Sequence, residues 1–348
     1  MPDSTYSPGT YSGAIQTQAD IDAFERTPWQ DKLPVQNTYE LLCRACDRHP
    51  DRTALRFIMT GDADAPAFVV DYATLKTRVT QAANAFHRAG VTAGTAVTLL
   101  LPNLPQTHYA LLGAQAAGIA SPINPMLEVD HIAAIVDETG AGALVACAPA
   151  ADSALWDKAV AVADRCPSVR TLFVVSVAPY LPAAERARLD AIFDAASRPS
   201  RPEVKIVHFD QALAEEPSDT LVSRRRIVAT DICSYFHTGG TTGLPKVATH
   251  SHLNEAFVAT MLDAMMPSAL SVSMARNCTE SWWRSSRCDS LRMLMPLQSI
   301  TSIRSGEKSG AAALSSVCRF PSSLEPSANQ NVGGNSVKKS HRSMVLPL

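Results

Sequence analysis

The sequence predicts an α/β fold: a doubly wound, mostly parallel sheet with helices on both faces. Three observations predict it. Strand-like apolar runs alternate with helix-period segments through most of the chain. Runs such as "AVTLLL" and "ALVAC" are continuously apolar, as strands covered on both faces must be. Glycines stand where the helical periods stop, at Gly90 and Gly140.

The elements follow in order. Residues 1–34 read as a loosely structured leader, polar and turn-rich at its start. A helix is expected over 38–48, with Thr38 as its N-cap. Two short strands, "ALRFIM" and "AFVVDY", flank the turn-rich "TGDADAP". A helix over 73–89 places Leu75, Val79, Ala82, Ala83 and Phe86 on one stripe. The strand "AVTLLL", the helix "QTHYALLGAQAAG" and an extended "ASPIN" come next. Val129, Ile132, Ile135 and Val136 mark another amphipathic helix. Then come the strand "ALVAC", a helix over 153–165, the strand "TLFVVSV", a helix over 183–196 and the strands "VKIVHF" and "DICSYFH". A helix in "HLNEAFVATMLDAMM" closes the series, with Phe257, Met261, Leu262 and Met265 as its expected core face.

Bulk properties exclude several classes. A chain of 348 residues has room for about two domains. Its net charge of −2 demands no nucleic acid or anionic membrane. No stretch of about 18 apolar residues suggests a membrane span, and the start lacks the pattern of a secretory signal. A cytoplasmic location is expected. Eight cysteines in so long a chain are no disulfide scaffold. Cys43 and Cys46 form a C-x2-C pair, read as small apolar residues on a helix rather than zinc ligands.

The chain changes character near Pro267. Before it, acidic residues outnumber basic ones; after it, Arg and Lys dominate and roughly a quarter of the residues are serine. The expected division is a leader (1–34), an incomplete nucleotide-binding domain (35–267) and a disordered or out-of-frame tail (268–348).

Chemistry concentrates in "HTGGTTGLPK". Gly239, Gly240 and Gly243 let the backbone turn tightly and bring its N–H groups against a ligand. Thr238, Thr241 and Thr242 add hydroxyls, and Lys246 adds a positive charge. The sum is a donor-rich, cationic loop suited to a polyphosphate. It is not a Walker A loop, because Leu244 and Pro245 separate the last glycine from the lysine and Val247 follows it. That departure weighs against a P-loop NTPase.

This stretch resembles the phosphate loop of the AMP-forming adenylate enzymes, which include acyl-CoA synthetases, peptide-synthetase adenylation domains and luciferases. The spelling "TGGTTG" after "YFH" is most similar to fatty acyl-CoA synthetases. "ATHSHLNE" resembles the family's "THxN" segment, "GIASPINP" its "G-x-x-x-P-i-N-P" block, and "HIAAIVDETGAGALVA" a further block. The resemblance covers about residues 38–264. It implies that a carboxylate, a fatty acid above all, attacks ATP to give an acyl-adenylate and pyrophosphate, after which coenzyme A displaces AMP. It further implies that Thr238, Gly239, Gly240, Thr241, Thr242, Gly243 and Lys246 hold the β- and γ-phosphates, bridged by Mg²⁺.

The family's later parts are not recognisable here: the "Y-G-x-T-E" segment, the ribose-gripping Asp, the hinge Arg and the C-terminal Lys. "CTES" at 278–281 lacks the Tyr-Gly lead-in and is read as chance. No catalytic residue is assigned, and the expectation is a truncated, inactive acyl-CoA synthetase fragment. The alternatives are a ligase of another carboxylate, such as an aryl acid or one loaded onto a carrier protein, and a non-catalytic nucleotide-binding remnant.

Overall fold

A computed structural model describes residues 17–59, 67–150, 153–238 and 246–265, with only the backbone of 262–265. The expected tail and the Met265 end of the last apolar stripe therefore lie outside the described side chains.

The centre is a seven-stranded sheet. Its strands are β3 (Ala96–Leu100), β4 (Ile119–Pro122), β5 (Ala143–Cys147), β6 (Thr171–Val175), β7 (Lys205–His208), β8 (Ile232–Thr238) and β9 (Lys246–Ser251). They lie in the order β7-β6-β5-β3-β4-β8-β9. Every neighbouring pair is parallel except β8 and β9. From β4 the chain crosses back over β3 to β5, which splits the crossover helices between two faces. A separate antiparallel pair, β1 (Thr53–Phe57) and β2 (Phe68–Asp71), precedes the sheet.

Strand alternation divides the interior into two cores. Val97, Leu99, Val145 and Phe173 face α3 (Thr38–Arg48), α4 (Tyr72–Arg88), α5 (Pro105–Ala117) and, farther along the chain, α9 (Phe209–Ala214). Leu100, Leu144, Leu172 and Val174 face α6 (Val129–Thr139) and α7 (Leu155–Arg165). β3, β5 and β6 are buried at every position, so their sequences carry no polar alternation. The helix α8 (Ala183–Ala195) lies outside and buries no residue fully.

α5 is buried at eleven of its residues and so shows no amphipathic stripe. α4 packs close against it. A Cβ on Gly113 would stand 2.6 Å from Ala82 Cβ, so only glycine permits the approach. At the end of α5, a Cβ on Gly118 would stand 2.4 Å from the Thr95 carbonyl oxygen and 2.6 Å from that of Thr92.

Residues 17–34, read as a leader, carry two short helices that bury no residue. Thr17 and Asp20 form a reciprocal cap on α1 (Gln18–Glu25). A further turn, α2 (Trp29–Lys32), sets the Trp29 ring edge-on to Phe257, with centroids 5.5 Å apart. That aromatic contact anchors a segment whose own composition is polar. The cap of α3 also differs by one residue. Asn37 accepts from Glu40 N at 2.8 Å, which leaves Thr38 inside the first turn.

Candidate nucleotide-binding site

β8 runs parallel to β4, with Ala120 opposite Ser234. The loop after β8 thus leaves the sheet at the same carboxyl edge as the 123–128 loop after β4, the edge where such sheets bind ligands. The sequence led one to expect this loop to enter a helix directly. Instead β9 returns antiparallel, and only then does α10 (His252–Met265) begin. The stretch "KVATHS", in which Val247 and Thr249 are β-branched, supplies hydrogen bonds to the outer edge of β8, which would otherwise be bare. β8 and β9 are thus antiparallel neighbours, and the glycine-rich stretch stands between them in sequence.

Thr238 and Lys246 are register partners at the end of that pair. The Thr238 hydroxyl donates to the Lys246 carbonyl at 3.5 Å. Both side chains are exposed. Lys246 forms no ion pair among the described residues, so its charge is available to an anion. Gly239, Gly240, Thr241, Thr242 and Gly243 lie outside the described residues. An exposed cation beside a hydroxyl at the carboxyl edge fits a polyphosphate. Among the described residues, no group of three or more His, Cys, Asp or Glu is placed to hold a metal ion.

The hairpin base is tied down by polar contacts. His237 is half-buried near the end of β8, with the Pro122 carbonyl as its electrostatic neighbour. Burial lowers its pKa, and the Pro122 carbonyl opposes that shift. Phe236 and His250 meet edge to face at 4.8 Å. Beyond β9, Ser251 and Asn254 cap α10 reciprocally, Ser251 N donating to Asn254 Oδ1 at 3.0 Å and Asn254 N to Ser251 Oγ at 3.2 Å.

α10 turns a different face inward from the one expected. His252, Glu255, Ala256 and Ala259 are buried, while Phe257 and Met261 are only half-buried. The reason is that α10 rests on polar groups of α3, α5 and β8. His252 Nδ1 accepts from Thr38 N at 3.3 Å and lies 2.9 Å from the Thr38 hydroxyl. Thr38 N is an amide that the first turn of α3 leaves without an intrahelical acceptor. Desolvation drives the His252 pKa down to about 4. Gln115 Nε2 donates to Ser234 Oγ at 2.9 Å and to Glu255 Oε2 at 2.7 Å.

The neighbouring loop is equally constrained. Asn124 Oδ1 accepts from Met126 N at 3.0 Å, and Lys158 Nζ donates to the Leu127 carbonyl at 2.7 Å. Arg225 donates to Asp231 at 3.0 Å and reaches the Ala116 and Gly118 carbonyls at 3.4 Å each. None of the five cysteines among the described residues forms a disulfide; Cys43 and Cys46 sit on α3 as expected.

Comparison with known proteins decides what this edge belongs to. Residues 42–306 match the AMP-binding enzyme family. The chain belongs to the AMP-binding enzyme family. The match runs past Pro267, where the sequence changes character. Over 238 residues the chain is 30% identical to a marinolic acid–CoA ligase of Pseudoalteromonas sp. (strain SANK 73390), covering 68% of this chain and 33% of that protein. Over 236 residues it is 22% identical to a long-chain-fatty-acid–CoA ligase of Bacillus subtilis (strain 168), covering 65% and 38%. The chain thus spans about a third of the length of these curated relatives. The fold is similar to that of an anthranilate CoA ligase solved in complex with anthranoyl-AMP, with a TM-score of 0.50, 20% identity and coverage of 67% and 38%.

Sequence reasoning missed β9 and the bridge formed by Gln115, Ser234 and Glu255. A signal was present. His252 and Glu255 stand three residues apart, one face of a helix that was read by its Met and Phe instead. Among the described residues no helix is long and apolar enough to cross a membrane.

Proposed function

We propose that this chain carries the phosphate-binding part of an AMP-forming acyl-CoA synthetase. The reaction joins a fatty acid to coenzyme A at the expense of ATP, through an acyl-adenylate. One observation carries the reading: β8 ends at Thr238 and β9 begins at Lys246 at the sheet's carboxyl edge, and the sequence between them is an ordered run of Thr and Gly, in a chain of the AMP-binding enzyme family. The long-chain-fatty-acid–CoA ligase among its relatives supports a fatty acid, and the fold shared with an anthranilate CoA ligase fits an aryl acid equally well.

In this reading Thr238, Thr241 and Thr242 and the amides of Gly239, Gly240 and Gly243 bind the β- and γ-phosphates. Lys246 offsets the charge that builds on pyrophosphate as it leaves. Mg²⁺ would enter with ATP and would supply further positive charge to the phosphates that Lys246 and the threonine hydroxyls hold. Coenzyme A enters only after the adenylate has formed.

Calorimetric titration with Mg·ATP, followed by a fatty-acid-dependent ATP–pyrophosphate exchange assay, tests both halves. Binding that weakens about tenfold or more in Lys246→Ala is expected, because a charge-assisted hydrogen bond is lost. Absence of any binding sinks the phosphate assignment. Exchange activity would overturn the expected inactivity and leave the assignment standing.

A further inference from the structure

We propose that Glu255, carried as a neutral carboxylic acid between Gln115 and Ser234, is a positioning residue that fixes the phosphate-binding hairpin on α5. The proposal rests on the nucleotide reading above and adds a residue far from the phosphates to it.

The three side chains come from three elements. Gln115 lies on α5, Ser234 on the strand that enters the hairpin, and Glu255 on the helix that leaves it. They are 1%, 0% and 8% exposed. One amide holds both arms of the chain around the loop, because Gln115 Nε2 donates one hydrogen to Ser234 Oγ and the other to Glu255 Oε2. Ser234 lies four residues before Thr238, about 13 Å along the strand. A slip at this bridge therefore moves Thr238 and Lys246 together.

The donor count favours a proton on Glu255. Gln115 Oε1 and Glu255 Oε1 are both buried without a hydrogen-bond partner among the described residues. With Glu255 ionised, both atoms are acceptors and neither can serve the other. A proton on Glu255 turns one of them into a donor and removes a buried charge. No Lys or Arg pairs with Glu255 among the described residues.

Other titratable groups face this carboxyl. β8 contributes Cys233, whose thiol is pushed up by burial and stays neutral. β9 contributes His250, whose positive form would draw the carboxyl down. On α10 itself, His252 is held neutral by burial. α5 presents the uncharged Gln115. Desolvation is the largest influence on Glu255 and raises its pKa above the usual carboxylate range, against the Ser234 and Gln115 hydrogen bonds.

The test uses the full chain with Mg·ATP, titrated from about pH 6 to about pH 9, and two variants. Glu255→Gln keeps a neutral hydrogen-bonding group of the same shape; Glu255→Leu keeps the volume alone. The expected result has three parts. Glu255→Gln binds within about twofold of the parent at the acid end. The parent weakens as pH rises while Glu255→Gln weakens less. Glu255→Leu, still folded, binds about tenfold more weakly throughout. A purely structural seam would lower the melting temperature of Glu255→Leu but leave affinity and its pH profile unchanged, and that result overturns the proposal. If the parent chain does not bind Mg·ATP at all, the nucleotide reading fails and positioning falls with it. Melting temperature against pH then still decides the proton: profiles that coincide in the parent and Glu255→Gln overturn the neutral acid.

Discussion

The inner strands and the hairpin edge of the same sheet are held by different forces. β3, β5 and β6 are buried at every residue and packed on both faces by apolar side chains. β9 buries no residue fully, and β8 buries only Cys233 and Ser234. What holds β8 and α10 in place includes a set of specific polar contacts: Gln115 to Ser234 and Glu255, and His252 to Thr38. Apolar burial is strong but indifferent to direction. Hydrogen bonds are weaker but fix geometry. The proposed phosphate loop, which would present donors to a ligand, is better served by the second. The contrast implies that stability and ligand binding should respond separately to mutation.

The largest effect is expected on the inner side. Gly118→Ala places a Cβ against two carbonyl oxygens, and the backbone must shift. A loss of about 3 kcal/mol is expected in urea unfolding. A loss below about 0.5 kcal/mol would mean that the α5–β4 junction is far more pliant than its packing indicates.

Next comes acid. His252 is neutral and buried, with its pKa lowered to about 4 from the ordinary 6.5. The folded state therefore binds fewer protons than the unfolded state between these values. Stability present above pH 6.5 is lost as pH falls toward 4, by on the order of 3 kcal/mol. His108, also held down to about 4 by burial, acts in the same direction. His252→Asn should flatten part of the slope of melting temperature against pH. An unchanged slope would remove His252 from the contrast.

Lys246→Ala should separate the two regions most cleanly. It is exposed and forms no ion pair among the described residues, so stability should stay within about 0.5 kcal/mol. Its effect belongs to Mg·ATP affinity alone. A lower melting temperature without weaker binding would make Lys246 a structural residue.

The smallest effect is at the leader. Trp29→Ala removes the edge-to-face contact with Phe257 and should cost about 1 kcal/mol. Amide exchange in 18–32 should quicken while that of the inner strands does not. Equal quickening in both would show that the leader is coupled to the core more tightly than one ring contact allows.

The inner sheet was legible because its elements advertise themselves. "AVTLLL" and "ALVAC" are apolar throughout since both faces are covered, and the stripe from Leu75 to Phe86 repeats with the helical period. The leader was less legible, because α1 buries nothing and its only strong signal was the Thr17–Asp20 cap. β9 was misread because six residues of mixed polarity acquire their strand from pairing with β8, an interaction distant from any local propensity.

Sequence alone determined the α/β class and the alternation of elements, and it set which residue types stand from Thr238 to Lys246, since those depend on residue type and short spacing. Tertiary structure alone decided which face of α10 turns inward, that Thr38 gives its amide to His252 across 214 residues of chain, and that Gln115 spans the two arms of the hairpin. Those choices turn on which buried donors and acceptors find each other, and only the folded chain brings them within reach.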